Sequence, residues 1–155
     1  MHPLDPLTSA EITQVAALVR SRGAGESLHF KAISIIEPPK NILRAFLIAE
    51  RNEQSPTLPS RRASALYYHR GTANLFLARL NLELDLVEEV KQLESHFHGQ
   101  ADFDEAVQLR NICLEHPKVL KAIKKFKLPD DLTVVCDTWP YGRDSEDNHP
   151  RLVQV

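Results

Sequence analysis

The sequence lacks the features that mark membrane, secreted and nucleic-acid-binding proteins. Its 155 residues contain no uninterrupted apolar run of about 18, the length that a transmembrane helix needs. Residues 1–6 have neither a basic stretch nor an apolar segment, so no signal peptide is expected. Nineteen basic residues against 21 acidic ones leave a net charge of −2, which does not point to nucleic acid as a partner.

Cysteine and the short motifs of known catalytic sites are also scarce. The two cysteines, Cys113 and Cys136, are too few for a fold that depends on several disulfide bonds. They are either buried free thiols or the two halves of one disulfide. There is no Gly-x-Ser-x-Gly sequence, phosphate-binding P-loop or dinucleotide fingerprint. With 43% apolar and 26% charged residues, the composition is that of a globular chain of one domain or two small ones.

A helix is predicted at residues 8–23. Thr8 and Glu11 have the spacing of a capping box, in which each side chain accepts a hydrogen bond from the other residue's backbone N–H. Apolar residues then recur at three- and four-residue intervals at Ile12, Val15, Ala16 and Val19.

From Leu28 the pattern changes to that of β-strands. Runs of β-branched and apolar residues predict strands at 28–36, 42–49 and 63–68. Gly71 marks a turn before a fourth strand, which is predicted from strict alternation between Phe76 and Leu86. Residues 87–93 fit either a strand or a helical turn.

A second cycle of helix and strand follows a linker at 95–100. Asp102 and Glu105 repeat the capping-box spacing, and Pro117 suits the first turn of another helix. The further predicted elements are helices from 102 towards 116 and at 118–126, and strands at 132–136 and 151–155. The prediction is therefore an α+β chain of two modules, 1–95 and 100–155, each a helix packed on an antiparallel sheet, with the second module incomplete.

The sequence His96-Phe97-His98 is the strongest candidate metal motif. In a strand, the two imidazoles would lie on one face and could share a copper or zinc ion. A site needs three or four ligands, however, and no other histidine has a supporting spacing, so a linker role is favoured.

Two further features, a cluster of lysines and Trp139, can each be explained by a structural role or by a binding role. A basic cluster consists of Lys118, Lys121, Lys124, Lys125 and Lys127. It has no interleaved aromatic residue or glycine-rich loop, so a solvated helix face is favoured over a phosphate site. Trp139 lies in a turn segment, where an aromatic residue either covers a core or forms part of a binding surface.

Several short motifs, taken together in their order along the chain, resemble those of a known protein family. They are His2-Pro3-Leu4-Asp5-Pro6-Leu7-Thr8, Phe30-Lys31-Ala32-Ile33, Glu37-Pro38-Pro39-Lys40, Arg61-Arg62-Ala63, Asp102-Phe103-Asp104-Glu105-Ala106, His116-Pro117-Lys118-Val119 and Val134-Val135-Cys136-Asp137-Thr138-Trp139 with Gly142. In this order they resemble the two amino-terminal cystatin-like domains, N2 and part of N3, of copper-containing primary-amine oxidases. Thr138 stands where that family usually has proline. The resemblance also implies that the alternating leucine stretch is two strands with a turn near 83–85.

The resemblance implies an activity that these residues do not themselves perform. The family converts primary amines, dioxygen and water to aldehydes, ammonia and hydrogen peroxide. Its copper is held by three histidines, and its topaquinone is made from a tyrosine in an Asn-Tyr-Asp/Glu sequence. These groups belong to a large carboxy-terminal β-sandwich domain, and none of Tyr67, Tyr68 and Tyr141 follows an asparagine. The implied assignment is a non-catalytic amino-terminal portion that binds no copper or quinone itself; His96 and His98 copy the family's His-x-His spacing but lie in another domain.

Substrate passage is the one site role that the resemblance implies for this chain. By position, Phe103 and Trp139 match bulky residues that line the amine channel of the family, where aromatic walls exclude water and present a π face to a protonated amine. The alternative is that both rings cover the core of their own module.

The resemblance further implies partners and a location. In the complete enzyme these are the catalytic domain, a second subunit in a homodimer and a primary amine, with no nucleic acid or membrane, in the cytoplasm or peroxisome. The alternative is a stand-alone cystatin-like module that binds a protein partner. The Gln-x-Val-x-Gly loop of cystatin inhibitors is absent.

Overall fold

The computed structural model describes residues 2–23, 27–129, 131–140 and 152–154. The chain divides into two compact units, which we call unit 1 (Met1–Gly99) and unit 2 (Gln100–Val155). Each combines helices with antiparallel strands, and the predicted α+β class of cystatin-like modules is confirmed.

Helix α1 (Ser9–Arg22) begins at the predicted capping box. Thr8 Oγ1 accepts a hydrogen bond from the Glu11 backbone N–H at 3.2 Å, and Glu11 Oε2 accepts one from the Thr8 backbone N–H at 2.7 Å. Val15 and Val19 are buried on the face that packs against the sheet. The helix therefore starts where its first N–H groups find side-chain acceptors and is held by its apolar face.

The sheet of unit 1 consists of strands β1 (Leu28–Ile36), β2 (Arg62–His69), β3 (Leu75–Asn81) and β4 (Leu86–Gln92), antiparallel and in that order. Inward side chains alternate along β2 and β3, as the period of two predicts. Gly71 has the positive φ of 81° that the turn between these strands requires. The core between helix and sheet contains Val15, Val19, Ala63, Ala65, Tyr67, Ala78, Leu80, Leu82 and Val87.

The alternating leucine stretch is broken, as the family resemblance implies and residue spacing does not. Asn81 is 5% exposed, and its Oδ1 accepts hydrogen bonds from the backbone N–H groups of Glu83 and Leu84, at 3.1 and 3.2 Å. Asp85 completes the turn with a φ of 48°. An asparagine and an aspartate thus perform the role that glycine or proline usually signals.

The strand predicted at 42–49 is wrong, because this segment lies within helix α2 (Lys40–Arg51). Leu43, Phe46 and Ala49 recur every three residues and face inward, with Phe46 buried, whereas Ile48 is 53% exposed. Leucine, alanine and arginine favour a helix, and the backbone N–H groups of residues 42 and 43 donate to Pro39 O at 2.9 Å. An unbroken apolar run was therefore mistaken for a buried strand.

Unit 2 contains helices α3 (Phe103–Glu115) and α4 (Pro117–Lys125) and the short strands β5 (Trp139–Pro140) and β6 (Val153–Gln154). The predicted strand at 132–136 is wrong, because residues 132–138 adopt no regular structure. Residues 151 and 155, the ends of the last predicted strand, lie outside the described residues.

The helices of unit 2 are bounded as predicted but are not buried. Asp102 and Glu105 form the second capping box, and His116 Nδ1 accepts a hydrogen bond from the Lys118 backbone N–H at 3.2 Å. Neither α3 nor α4 contributes a buried residue. Among the described helices, none combines the length and the apolar character needed to cross a bilayer.

Candidate functional site

Phe103 is the first residue of α3, directly after its N-cap Asp102. Its side chain is 80% exposed. An exposed phenylalanine gives up the roughly 1.5–3 kcal/mol that burial of its side chain would contribute. The ring is therefore available to a surface outside the described residues.

Trp139 has a similar exposure in a different setting. It opens β5 and pairs with Gln154 of β6, and its side chain is 64% exposed. The indole Nε1–H donates to Asp137 Oδ2 at 3.1 Å, which orients the ring from within its own turn. Within the described residues, neither Trp139 nor Phe103 stacks on another ring or lies in a core.

The two histidines of the 96–98 segment do not lie in a strand. The segment follows β4 as a turn and irregular chain, so the strand geometry that would place both imidazoles on one face is not present. His96 Nδ1 lies 3.4 Å from Glu94 Oε2, and its ring packs on Phe97 with centroids 4.3 Å apart.

The five lysines between residues 118 and 127 are exposed on and after α4. The cysteines lie half-buried in unit 2 and are free thiols. Burial, together with a hydrogen bond to Cys113, raises the pKa of the Cys136 thiol.

Sequence reasoning missed a polar cluster in unit 1, centred on Arg61. The Arg61 guanidinium donates through Nε to Glu11 Oε1 and through Nη2 to Glu11 Oε2 at 3.2 Å. Nη2 also donates to the carbonyl oxygens of Asp5 and Pro6, at 3.0 and 2.9 Å. Only 11% of the Arg61 side chain and 14% of the Glu11 side chain are exposed. The cluster fastens the chain before α1 to the start of β2.

The ion pair changes the ionisation of Glu11. The Arg61 hydrogen bond is the main cause that lowers the pKa of Glu11 from 4.5 to about 2, against the opposing effect of burial. A fifty-residue separation hides this pair from local sequence patterns. The sequence feature that indicates this pair is the capping glutamate, Glu11. The capping box uses one of its two carboxylate oxygens, so the other can accept a hydrogen bond from a distant residue.

Two of the three tyrosines, Tyr67 and Tyr68, lie in strand β2 of unit 1. Tyr67 is buried and stacks on Phe76 with ring centroids 5.7 Å apart. The Tyr68 hydroxyl accepts a hydrogen bond from the Gly99 backbone N–H at 2.7 Å. Both tyrosines thus pack within unit 1, and Tyr141 lies outside the described residues.

Comparison with known proteins identifies the first unit. Residues 2–74 match the family model described as "Copper amine oxidase, N2 domain". These residues form a copper amine oxidase N2 domain. The N2 domain so defined contains α1, β1, α2 and β2, including both Glu11 and Arg61.

Similarity to copper amine oxidases extends beyond the N2 domain. The primary amine oxidase of Arthrobacter sp. (strain P1) is 32% identical over 97% of this chain, and copper amine oxidase 1 of Schizosaccharomyces pombe is 27% identical over 98% of it. A solved copper-containing benzylamine oxidase from Hansenula polymorpha superposes on 95% of the chain with a TM-score of 0.80 and 28% identity. The chain spans 22%, 21% and 23% of the lengths of these three proteins.

Proposed function

We propose that this chain is the non-catalytic amino-terminal portion of a copper- and topaquinone-dependent primary-amine oxidase. The observation that carries the proposal is the match of nearly the whole chain, at 95% or more of its residues, to about a fifth of each of several copper amine oxidases. A match of this form is expected when a chain corresponds to one region of a larger subunit.

The reaction itself would take place elsewhere in that subunit. Copper and topaquinone supply the oxidation of the amine and the return of electrons to dioxygen in that family, and we assign both groups to the carboxy-terminal domain of the subunit. The roles left to this chain are to shape the approach to the catalytic domain and to contribute to subunit packing.

A role in the substrate channel is proposed for Trp139 and Phe103. Their exposures of 64% and 80% leave two apolar π surfaces free on unit 2. The Asp137 carboxylate fixes the edge of the indole and leaves its faces open. Such a surface suits the passage of a protonated amine, because a cation is attracted to the face of an aromatic ring while water is excluded.

The proposed partners follow from the same assignment. They are a carboxy-terminal catalytic domain, a second subunit and a primary amine. The compartment is proposed to be the cytoplasm or the peroxisome; two relatives from Nicotiana tabacum bear the designation "peroxisomal" in their names.

The experiment is to isolate the native protein with an antibody raised against unit 1 and to measure hydrogen peroxide release from a panel of primary amines. We expect amine-dependent peroxide release that co-purifies with a polypeptide several-fold longer than this chain. The recombinant 155-residue chain is the matched control and should release none. A native polypeptide of 155 residues that oxidises no amine would instead favour the stand-alone interaction module.

A further inference from the structure

A small cavity in unit 1 is formed by the chain before α1, the end of β1 and the segment that leads into β2. Its volume is about 80 Å³, and it is partly open to solvent. Its walls are mainly apolar, with contributions from Pro3, Ile35, Ile36, Leu58 and Pro59. A single water needs roughly 10–15 Å³ and a cavity of roughly 150 Å³ binds benzene, so this cavity suits an occupant of about three to five non-hydrogen atoms.

Arg61 lines this cavity with a guanidinium whose hydrogen-bonding capacity is only partly used. Its Nε and Nη2 donate to the Glu11 carboxylate, and Nη2 also donates to the carbonyl oxygens of Asp5 and Pro6. Nη1 is buried, and among the residues that the structure describes it has no hydrogen-bond partner. A buried donor without an acceptor is unfavourable, and guanidinium nitrogens can only donate. An oxygen atom of an occupant would supply the acceptor that Nη1 lacks.

The wall that the chain before α1 contributes is held in place by its own contacts. The His2 backbone N–H donates to Asp5 Oδ2 at 2.6 Å, and the His2 ring packs edge-on against Phe46 with ring centroids 5.5 Å apart. Arg61 Nη2 fixes the next part of the wall through the carbonyl oxygens of Asp5 and Pro6, at 3.0 and 2.9 Å. Because the cavity is formed before anything enters it, little ordering of the chain opposes binding.

The charges around the cavity favour a neutral occupant. The Arg61 guanidinium is already balanced by the Glu11 carboxylate, which is ionised at neutral pH because its pKa is lowered to about 2. Glu83 also lines the cavity and adds a negative charge. A carboxylate ligand would therefore be repelled. A carbonyl oxygen accepts a hydrogen bond without adding charge, and it brings no donor of its own for the apolar walls to bury.

We propose that this cavity binds a small neutral carbonyl compound, a short aliphatic ketone or aldehyde, whose oxygen accepts a hydrogen bond from Arg61 Nη1. The alkyl part of the compound packs against the apolar wall that includes Ile35, Ile36 and Leu58. The site is built from unit 1 alone. Its test therefore does not depend on whether the native protein oxidises amines.

The test titrates the full chain, labelled in its isoleucine methyl and arginine guanidinium groups, with acetone and follows the resonances of Ile35, Ile36 and Arg61 by nuclear magnetic resonance. We expect saturable shifts of all three. The hydrocarbon 2-methylpropene has the shape of acetone without its oxygen, and it should bind about tenfold or more weakly because it cannot accept a hydrogen bond from the charged guanidinium. Acetate has as many non-hydrogen atoms as acetone, and it should bind several-fold more weakly because of the negative charges of Glu11 and Glu83.

Variants link the binding of acetone to this cavity. Arg61→Lys keeps a cation beside Glu11 but removes Nη1, so it should lower the affinity for acetone about tenfold or more. Arg79→Lys is the matched control, because Arg79 is more than half exposed and pairs with Glu89, and it should bind acetone as the wild type does. Ile36→Phe narrows the cavity while Arg61 is retained. It should also weaken binding, and it keeps the test decisive if Arg61→Lys does not fold.

Four results would each overturn the proposal. They are equal affinities for acetone and 2-methylpropene, tighter binding of acetate than of acetone, shifts of the isoleucine methyl resonances without a shift of the Arg61 guanidinium, and the absence of any saturable shift with acetone.

Discussion

Replacement of Glu11 by glutamine tests the polar cluster that joins the chain before α1 to β2. The substitution keeps the shape of the side chain but removes the charge that faces Arg61, of which only 11% of the side chain is exposed. The difference between a pKa of 4.5 and one of about 2 corresponds to roughly 3 kcal/mol. Loss of one partner of a buried ion pair typically costs about 3–5 kcal/mol, so we expect Glu11→Gln to lower the free energy of unfolding at pH 7 by about 3 kcal/mol.

The assay is urea unfolding followed by far-ultraviolet circular dichroism between pH 2 and 7. A carboxyl whose pKa is lowered by folding contributes stability above its unfolded pKa, near 4.5, and that contribution disappears as the pH falls towards 2. The free energy of unfolding of the wild-type chain should therefore fall between about pH 5 and pH 2. The difference in this free energy between the wild type and Glu11→Gln should become small near pH 2.

Glu89→Gln is the matched control. Glu89 lies 3.3 Å from Arg79, and both side chains are more than half exposed, so its removal should cost less than about 1 kcal/mol. The reasoning is refuted if Glu11→Gln lies within about 0.5 kcal/mol of the wild type at pH 7, or if the difference persists unchanged at pH 2.

The remaining predictions concern the channel residues, α2, the two units and copper. In a full-length enzyme, Trp139→Ala should change the ranking of amines by kcat/KM and leave stability within roughly 1 kcal/mol; a loss of roughly 3–5 kcal/mol with the ranking unchanged would make Trp139 a core residue. Phe46→Ala should lower the free energy of unfolding of unit 1 by about 3–4 kcal/mol and Ile48→Ala by less than about 1 kcal/mol, and equal losses in urea unfolding would contradict the burial assigned to α2. Hydrogen exchange should show weaker protection at 102–155 than at 8–93; equal protection in both would contradict the lack of buried helix residues in unit 2. Elemental analysis should find no stoichiometric copper on the purified chain, and one copper per chain that is lost on replacing both histidines of the 96–98 segment would overturn that expectation.

Local rules predicted the parts of the fold that depend on local contacts. The two capping boxes, strand β1 and the turn at Gly71 each have their decisive atoms within a few residues. The prediction of a strand around Phe46 was wrong because an apolar run of that length is compatible with a buried strand or with a helix, and tertiary packing decides between them. The turn after Asn81 was missed by spacing because a buried amide, rather than glycine or proline, satisfies its N–H groups.

The candidate site was less predictable, because its properties depend on what surrounds each residue. Trp139 and Phe103 could be singled out by resemblance, but their exposure follows only from the packing of unit 2. The partner of Glu11 lies fifty residues away, and no periodic pattern connects a capping glutamate to an arginine at the start of a strand. Sequence also left open whether Cys113 and Cys136 form a disulfide, and the structure has both as free, half-buried thiols.

The central claim is that this chain is the amino-terminal part of a larger amine oxidase subunit, and sequencing of the mature transcript through the codon for Val155 tests it most directly. The account predicts an in-frame continuation several-fold longer than this chain, with an Asn-Tyr-Asp/Glu sequence and, after it, a His-x-His pair. A stop codon directly after Val155, with no such coding sequence in the adjacent reading frame of the gene, would contradict it.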